Sequence, residues 1–472
     1  MNTAQYRLAK YYLDRLLAAD TAFRRGQASS ADSARLLNQD WAQIAHWQAW
    51  AAANSAHQVA ARLCAAYPQA GAEILITRQT PQERIAWLEA GLAAARATGD
   101  ARAEAVCLFR MAWAIHKQAT LERAEQVVRE ALAQAEAVGD ALLTGQSLHL
   151  LGEITVRRGD FVQAELMHER SLDLLQSVDA QAALADVYFS LSENAYFRGE
   201  YARARDYTLH CYRIHTALGL NPAMNNNLNC LGIFTAEAGD LDAGETYLRQ
   251  SIALCRQSGA QSTLAHGLKS LAGFMILRNA FAQARIYADE SLQIAQAIGE
   301  DWLIPDILIF QGRIHMRTGD LVAAQRDTAM AVTIARETGY RLTLVEALIN
   351  LADVQIAANQ LEQAHAALRE GLTGAIQTGT VIHILYGVFV AAKVWHTRGF
   401  ARRAAEWVGL LQRCPGVEYA VRSELPGLCA QLRGQLGAQP YAAAIERGGA
   451  LRLHEEVASL QAELAIASRF EL

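Results

Sequence analysis

Three side chains with chemistry of their own stand close together at His210, Cys211 and His215. Imidazole and thiolate are common zinc ligands, and a thiolate beside an imidazole is a common activated nucleophile. The spacing argues against both, because two histidines five residues apart do not share a helix face. The seven cysteines (Cys64, Cys107, Cys211, Cys230, Cys255, Cys414 and Cys429) are odd in number, irregularly spaced and without a CxxC pair. They therefore mark neither a zinc site nor a disulfide framework, and read as reduced, mostly buried thiols of a cytosolic protein. Glu455-Glu456 reads as solvated charge on a terminal helix rather than as an acid–base pair. The string nearest to a phosphate-binding loop is Gly267-Leu268-Lys269-Ser270, where a leucine intervenes between glycine and lysine and a helix surrounds the string. Such a loop needs backbone amides gathered at a helix start. No catalytic residue, cofactor site or metal site is assigned, and the chain is expected not to be an enzyme.

A different chemistry runs along the middle of the chain, in polar residues that return at related places about 40 residues apart. His149 and Glu153, Glu193 and Tyr196, Asn226 and Asn229, His266 and Lys269, and Arg313 and Arg317 form the candidate row. Phe109, Trp113, His116, Arg157, Phe189, Glu346, Asp353 and Lys393 occupy equivalent places. The row moves from acidic, through the asparagines at 225, 226, 227 and 229, to basic. Asparagine is a poor helix former. A frayed helix start after Asn221-Pro222 is the simpler account of the cluster, and hydrogen bonding to a ligand is the functional one. A wall of such donors and acceptors holds ligands rather than transforming them.

The elements that must position this row are set by turns. Glycine stands at 99, 139, 219, 259, 299, 339 and 379, with Asp179 in the missing slot. Half a period out of step come Gly159, Gly199, Gly239, Asn279, Gly319, Asn359 and Gly399. Between turns the apolar spacing is helical, as in Leu142, Leu148, Leu151 and Ile154. A small residue sits seven positions before each second-series turn (Ala112, Gly152, Ser192, Gly232, Ala272, Gly312, Ala352, Ala392). Another follows five positions after it (Ala124, Ala164, Ala204, Gly244, Ala284, Ala324, Ala364, Ala404). Glycine inside a helix costs about 1 kcal/mol relative to alanine, so Gly152, Gly232 and Gly312 imply close helix crossing.

Leu151-Gly152, Gly159-Asp160-Phe161, Ala164 and Ser171-Leu172, with their equivalents across about 105–410, resemble the tetratricopeptide repeat. HEAT-type repeats share the longer period but lack the small-residue code and the Gly-Asp turn. The resemblance implies an all-α fold, a right-handed α-solenoid of tetratricopeptide-type helical hairpins whose first helices face a concave groove. Thr80-Pro81-Gln82-Glu83 reads as a capping box opening a helix, partnered by a helix from about 60 to 77. Three parts are expected: an N-terminal helical adaptor at 1–55, a repeat array of eight to nine hairpins at 56–412, and a C-terminal helical cap at 413–472. The adaptor reads as two helices joined by the polar stretch from Gly26 to Ser30, and Trp41, Trp47 and Trp50 are read as packing onto the first repeat.

Both ends carry a second resemblance. Leu36-Leu37-Asn38-Gln39-Asp40-Trp41-Ala42-Gln43-Ile44-Ala45 is partly similar to the stretch that joins the winged-helix part of STAND-type signalling ATPases (the NB-ARC group) to their repeat arm. Leu436-Gly437, Tyr441-Ala442-Ala443-Ala444, Gly448-Gly449-Ala450-Leu451 and Glu455-Glu456 resemble the terminal cap of bacterial STAND proteins and related transcriptional regulators. The resemblance implies a sensor arm whose groove binds a small inducer, a peptide or a protein partner and controls a STAND-type NTPase switch. The switch would belong to the same full-length protein, since the chain has no GxxxxGK[ST]. A free-standing scaffold for protein assembly is the alternative. With 52% hydrophobic residues the chain can bury a core, and a net charge of −5 gives no electrostatic case for nucleic acid. No apolar run is long enough for a membrane span and Met1–Arg7 lacks a signal-peptide pattern, so a cytoplasmic protein is expected.

Overall fold

The computed structural model describes residues 3–24, 30–116 and 121–467, in which 23 α-helices and one short 3-10 helix follow one another without a strand. The linker from Gly26, except Ser30, lies outside the described residues, as does the end of the cap beyond 467. All fifteen turn positions have positive φ: the glycines lie between 66° and 110°, and Asp179, Asn279 and Asn359 at 51°, 57° and 58°. A left-handed residue ends a helix by letting following amides return to its last carbonyls. The Asp140 N–H reaches the Ala135 carbonyl at 3.0 Å and the Gln360 N–H reaches Gln355 at 2.8 Å. Aspartate and asparagine are the side chains that best tolerate this conformation, which explains the three substitutions in the glycine series.

Between these turns, nine antiparallel hairpins run from the pair Gln58–Ala70 and Pro81–Thr98 to the pair Val381–Thr397 and Ala401–Arg413. The small-residue code is a packing code. A Cβ on Gly232 would sit 2.5 Å from the Leu248 side chain, and one on Gly312 would sit 2.5 Å from Thr328. The facing alanines at 124, 164, 204, 284, 324, 364 and 404 have no exposed surface. A third slot ties the two helices of a hairpin to each other: Ser171, Ser251 and Ser291 each donate to a main-chain carbonyl 26 residues earlier at 2.7 Å. Cys211 occupies that slot in its own repeat and is fully buried, which gives the thiol a structural place.

Two compact units share the chain. The first holds residues 1–157, 162–190 and 214–221; the second holds 158–161, 191–213 and 222–472. In the first, Trp41 stacks on Trp87 at 5.9 Å, so the adaptor packs on the first hairpin. Thr80 and Glu83 form the capping box, with Thr80 N–H to the Glu83 carboxylate at 2.8 Å and Glu83 N–H to the Thr80 hydroxyl at 3.2 Å. The partner helix is shorter than the sequence suggests. It stops at Ala70, just after Pro68 and before Gly71, and a separate turn, Ile74–Thr77, takes over. Asp20 accepts the Glu73 and Ile74 amides, both at 2.8 Å, and so supplies the start of that turn.

In the second unit the cap helices Tyr419–Leu436, Ala438–Gly449 and Leu453–Ala467 continue the core of the last hairpins. Here the reading of Glu455-Glu456 as a solvated pair needs correction. Glu455 is exposed, but Glu456 is buried, accepts the Trp407 indole N–H at 3.0 Å and pairs with Arg403. A buried indole needs an acceptor and a buried carboxylate needs a cation; neither partner is adjacent in sequence.

Candidate recognition groove

The first helices of successive hairpins form the inner wall of the second unit, and their polar residues meet across repeats. Lys269 Nζ lies 2.9 Å from Asp306. Arg313 donates through Nε to the Asn350 side-chain carbonyl at 2.6 Å and faces Glu346 at 3.3 Å. Its guanidinium also lies over Phe310 and Tyr386, 5.5 and 5.6 Å from the ring centres. Lys393 pairs with Asp353. These three cations of the wall thus find acids in an adjacent repeat. The run from acidic to basic that the sequence suggests is largely neutralised in place.

The wall does not face open solvent throughout. After Ala401–Arg413 the chain turns inward at Pro415-Gly416, with extended backbone at Cys414 (φ −85°, ψ 115°) and Glu418 (φ −60°, ψ 149°). Tyr201 donates its hydroxyl to the Gly416 carbonyl at 3.0 Å. The Tyr419 amide donates to the Glu237 carboxylate at 2.6 Å, and Arg422 donates to the Glu237 main-chain carbonyl. Arg317 reaches Glu424 at 2.9 Å. Val417 and Val421 are 1% and 2% exposed, so the segment is seated rather than draped. Gly416 lies against Gly199, where a Cβ on Gly199 would sit 2.4 Å from the Gly416 Cα. Between segment and wall remains a cavity of about 150 Å³, bordered among others by Phe310, Arg313, Tyr386, Phe389, Glu418 and Glu424.

Electrostatics follow from the crowding. Burial, reinforced by Glu237 and Glu346 and opposed by Arg313, pushes the Glu418 carboxyl up to about 8. Burial raises Glu237 as well, although the Tyr419 amide and Arg422 work against it. Burial also raises Glu346 against the pull of Arg313. For Arg313 itself burial disfavours the charge, and Tyr386, Glu346, Glu418 and Asp353 outweigh it. These groups retain a little accessible surface, but they lie deep in a groove walled by protein on several sides.

Of the candidate residues, Glu193, Tyr196, Asn226, Asn229, His266, Lys269, Arg313 and Arg317 belong to the second unit, and His149 and Glu153 to the first. Tyr196 packs against Phe234 at 5.1 Å and its phenol is raised by burial. His266 lies against Trp302 at 4.7 Å, and burial, with Lys269, lowers it to about 4. The asparagine cluster divides. Asn225 lends its carbonyl to Ser251 and Asn227 donates to Cys211 at 3.2 Å. Asn229 is 5% exposed and its side-chain oxygen has no hydrogen-bond partner. In the first unit, His149 shares a hydrogen bond with Ser190 at 2.9 Å, and Glu153 stands 3.9 Å from both His149 and His168. Glu237, Glu418, Tyr419 and Arg422 are the residues that repeat spacing alone does not single out. Pro415-Gly416, directly after the last hairpin, is the one sequence mark of an extended stretch there.

Among the described residues no helix is long and apolar enough to cross a membrane, and no cluster of histidine, cysteine and acidic side chains has a metal-binding arrangement. No protein-family model matches the chain, and no curated protein matches it in sequence. Among solved structures it is similar to a Rap protein complexed with Competence and Sporulation Factor, with a TM-score of 0.51 and 12% identity over 77% of this chain and 98% of that one. It is similar to the apo form of RapI at a TM-score of 0.50 and 14% identity, over 58% of this chain and 98% of that one. A STAND protein with a tetratricopeptide repeat sensor, from Pyrococcus horikoshii, gives 0.46 and 14%, over 68% of this chain and 54% of that one.

Proposed function

We propose that this chain, an all-α, right-handed solenoid of tetratricopeptide-type hairpins like the two Rap proteins, serves as a non-catalytic recognition module whose groove in the second unit takes a short peptide or protein segment. One observation carries this reading: the wall already holds a short non-helical stretch of polypeptide, a turn at Pro415-Gly416 followed by extended Glu418, and it holds it by main-chain atoms. The Gly416 carbonyl and the Tyr419 amide are the groups engaged, by Tyr201 and Glu237. Contacts to the main chain give affinity for extended peptides of many sequences, and flanking pockets add selectivity. The Rap protein named above is complexed with Competence and Sporulation Factor, which supports a solenoid of this kind as a binder of signalling factors.

The resemblance of the two ends supports a finer proposal. In it, 1–55 is an adaptor, 56–412 the array and 413–472 the cap of a cytoplasmic sensor arm, and ligand in the groove controls a STAND-type nucleotide switch. A library of short labelled peptides, titrated against the full chain by fluorescence anisotropy, tests the groove. Peptides that bind should lose about tenfold in affinity on Asn229→Ala or Glu237→Ala, the scale of one hydrogen bond to a buried or charged group. Arg256→Ala, on an exposed ion pair, should change nothing. Binding that ignores both groove substitutions would place recognition elsewhere.

A further inference from the structure

The segment that fills the groove is poorly matched to it at one point, and that mismatch has a use. Tyr201 and Glu237 meet main-chain groups of the segment and are satisfied by them. The Glu418 side chain, by contrast, is carried in among acids: the Glu237 carboxylate lies 2.6 Å from the amide of the next residue, and Glu418 lines the cavity together with Asp353 and Glu424. Arg313 is the cation within reach, and it is already engaged by Glu346 and Asn350. An acid set among acids loses binding energy that a neutral side chain at the same place would keep. The wall therefore grips the main chain and repels one side chain.

We propose that residues 414–422 are a displaceable occupant of the groove, which stays self-occupied until an extended peptide lacking an acid at the place of Glu418 takes over its main-chain contacts. This rests on the reading of the groove as a peptide site. The segment is suited to such a role because the helical chain is broken within it, at Pro415-Gly416 and again ahead of the helix Tyr419–Leu436. Withdrawing it would free the Glu237 carboxylate and the Tyr201 hydroxyl for the incoming chain. An occupied site lowers apparent affinity by the fraction of molecules that are closed.

Tyr419 offers a clean substitution. It is the first residue of its helix and Glu418 is already extended, so a proline at 419 fits the backbone and removes the amide N–H that Glu237 accepts, together with the ring. Tyr419→Ala removes the same ring and keeps the amide. The probe is a fluorescein-labelled synthetic peptide with the sequence of residues 412–424, carrying serine for Cys414 and glutamine for Glu418. Its binding to the full chain is read by anisotropy, and opening of the segment by hydrogen exchange of amides 415–422.

The expected result is that Tyr419→Pro speeds exchange in 415–422 and binds the probe at least about tenfold more tightly than Tyr419→Ala, as loss of one charge-assisted hydrogen bond implies. Should the proline variant not fold, Tyr201→Phe, which deletes the bond to Gly416 and keeps the ring, should still speed exchange in 415–422, with probe affinity little changed because the probe loses the same hydroxyl. Glu418→Gln in the chain should move both readouts opposite to Tyr419→Pro, slowing exchange and weakening the probe. Equal probe affinity for wild type, Tyr419→Pro and Glu418→Gln would overturn self-occupancy while leaving the peptide groove intact. Faster exchange in 415–422 with no probe binding to any variant would overturn both.

Discussion

The inner faces of the two units handle buried charge in opposite ways. In the second unit, Lys269, Arg313 and Lys393 each pair with an acid of an adjacent repeat. In the first unit the corresponding wall carries His149 and Glu153, above a fully buried His168 whose two ring nitrogens have no hydrogen-bond partner. The second wall pairs its lysines and arginine, although its His266 also gives up a proton, and the first relies on giving up a proton at His168. Burial, with His149 nearby, lowers His168 to about 3, so it is neutral at ordinary pH. The difference teaches that one repeat scaffold can support either solution, and that the two should respond differently to substitution and to pH.

The largest effect is expected where pairing is removed. Arg313→Ala leaves Glu346 and Glu418 without their shared cation and should cost the second unit about 3 kcal/mol, the scale for stripping one partner from a buried pair. Denaturant unfolding, with hydrogen exchange to assign the loss to residues 304–357, measures it. Arg313→Lys should recover only part, because an ammonium cannot both donate to Asn350 and lie flat between Phe310 and Tyr386. Glu153→Ala, whose nearest histidine nitrogens are 3.9 Å away, should cost under about 0.5 kcal/mol. Comparable losses at the two sites would erase the contrast.

The pH responses come next, with opposite signs. His168 titrates near 6.5 when unfolded and near 3 when folded, so the unfolded chain binds more protons between those values. Stability of the first unit is full above about pH 6.5 and is lost as pH falls towards 3. Glu418 is shifted from 4.5 to about 8, so here the folded state binds more protons, and stability of the second unit falls as pH rises through that window. Glu418→Gln should flatten the alkaline loss and leave the acid one, with thermal unfolding across pH 4 to 9 as the measurement. His168→Leu should flatten the acid loss of the first unit and leave the alkaline one, while His266, lowered to about 4, keeps an acid loss in the second unit. The same substitution should also raise stability at neutral pH by about 1–2 kcal/mol, because two unsatisfied ring nitrogens leave the core. The chain supplies its own precedent: His168 packs over Gly152 in the place where Leu248 packs over Gly232.

These contrasts also mark what could be read from the sequence. The turns were legible because a left-handed backbone admits few residue types, so Gly, Asn and Asp record the conformation directly. The hairpin crossings were legible for a similar reason, since Gly232 and the Gly244 that faces it leave no alternative to close approach. The capping box at Thr80 belongs to the same class of local signals. Charge was not legible in this way. Lys269 and Asp306, or Arg313 and Glu346, are more than thirty residues apart, and each residue alone looks like a free groove group. The seat of residues 414–422 depends on Glu237 and Tyr201, about 180 to 215 residues earlier, and no periodicity predicts a contact made outside the repeat. Glu456 was misread for the same reason, since its partners Trp407 and Arg403 lie in another element.

The smallest effect is expected where the two units are alike, on the outer face. Arg96 and Glu130 in the first unit, and Arg256 with Glu290 and Arg336 with Glu370 in the second, repeat one exposed ion pair across 34 residues. All six side chains keep between 36% and 53% of their surface in water. Arg96→Ala, Arg256→Ala and Arg336→Ala should each cost no more than about 0.5 kcal/mol, because exposed pairs gain little and lose side-chain entropy on forming. Unfolding at low and high salt separates this from packing: the loss should shrink in about 1 M salt, where charges act only over about 3 Å. Equal, small, salt-sensitive losses in both units would confine the contrast to the inner walls. A large loss at one of them would show that the outer rungs, and not the groove, carry the difference between the units.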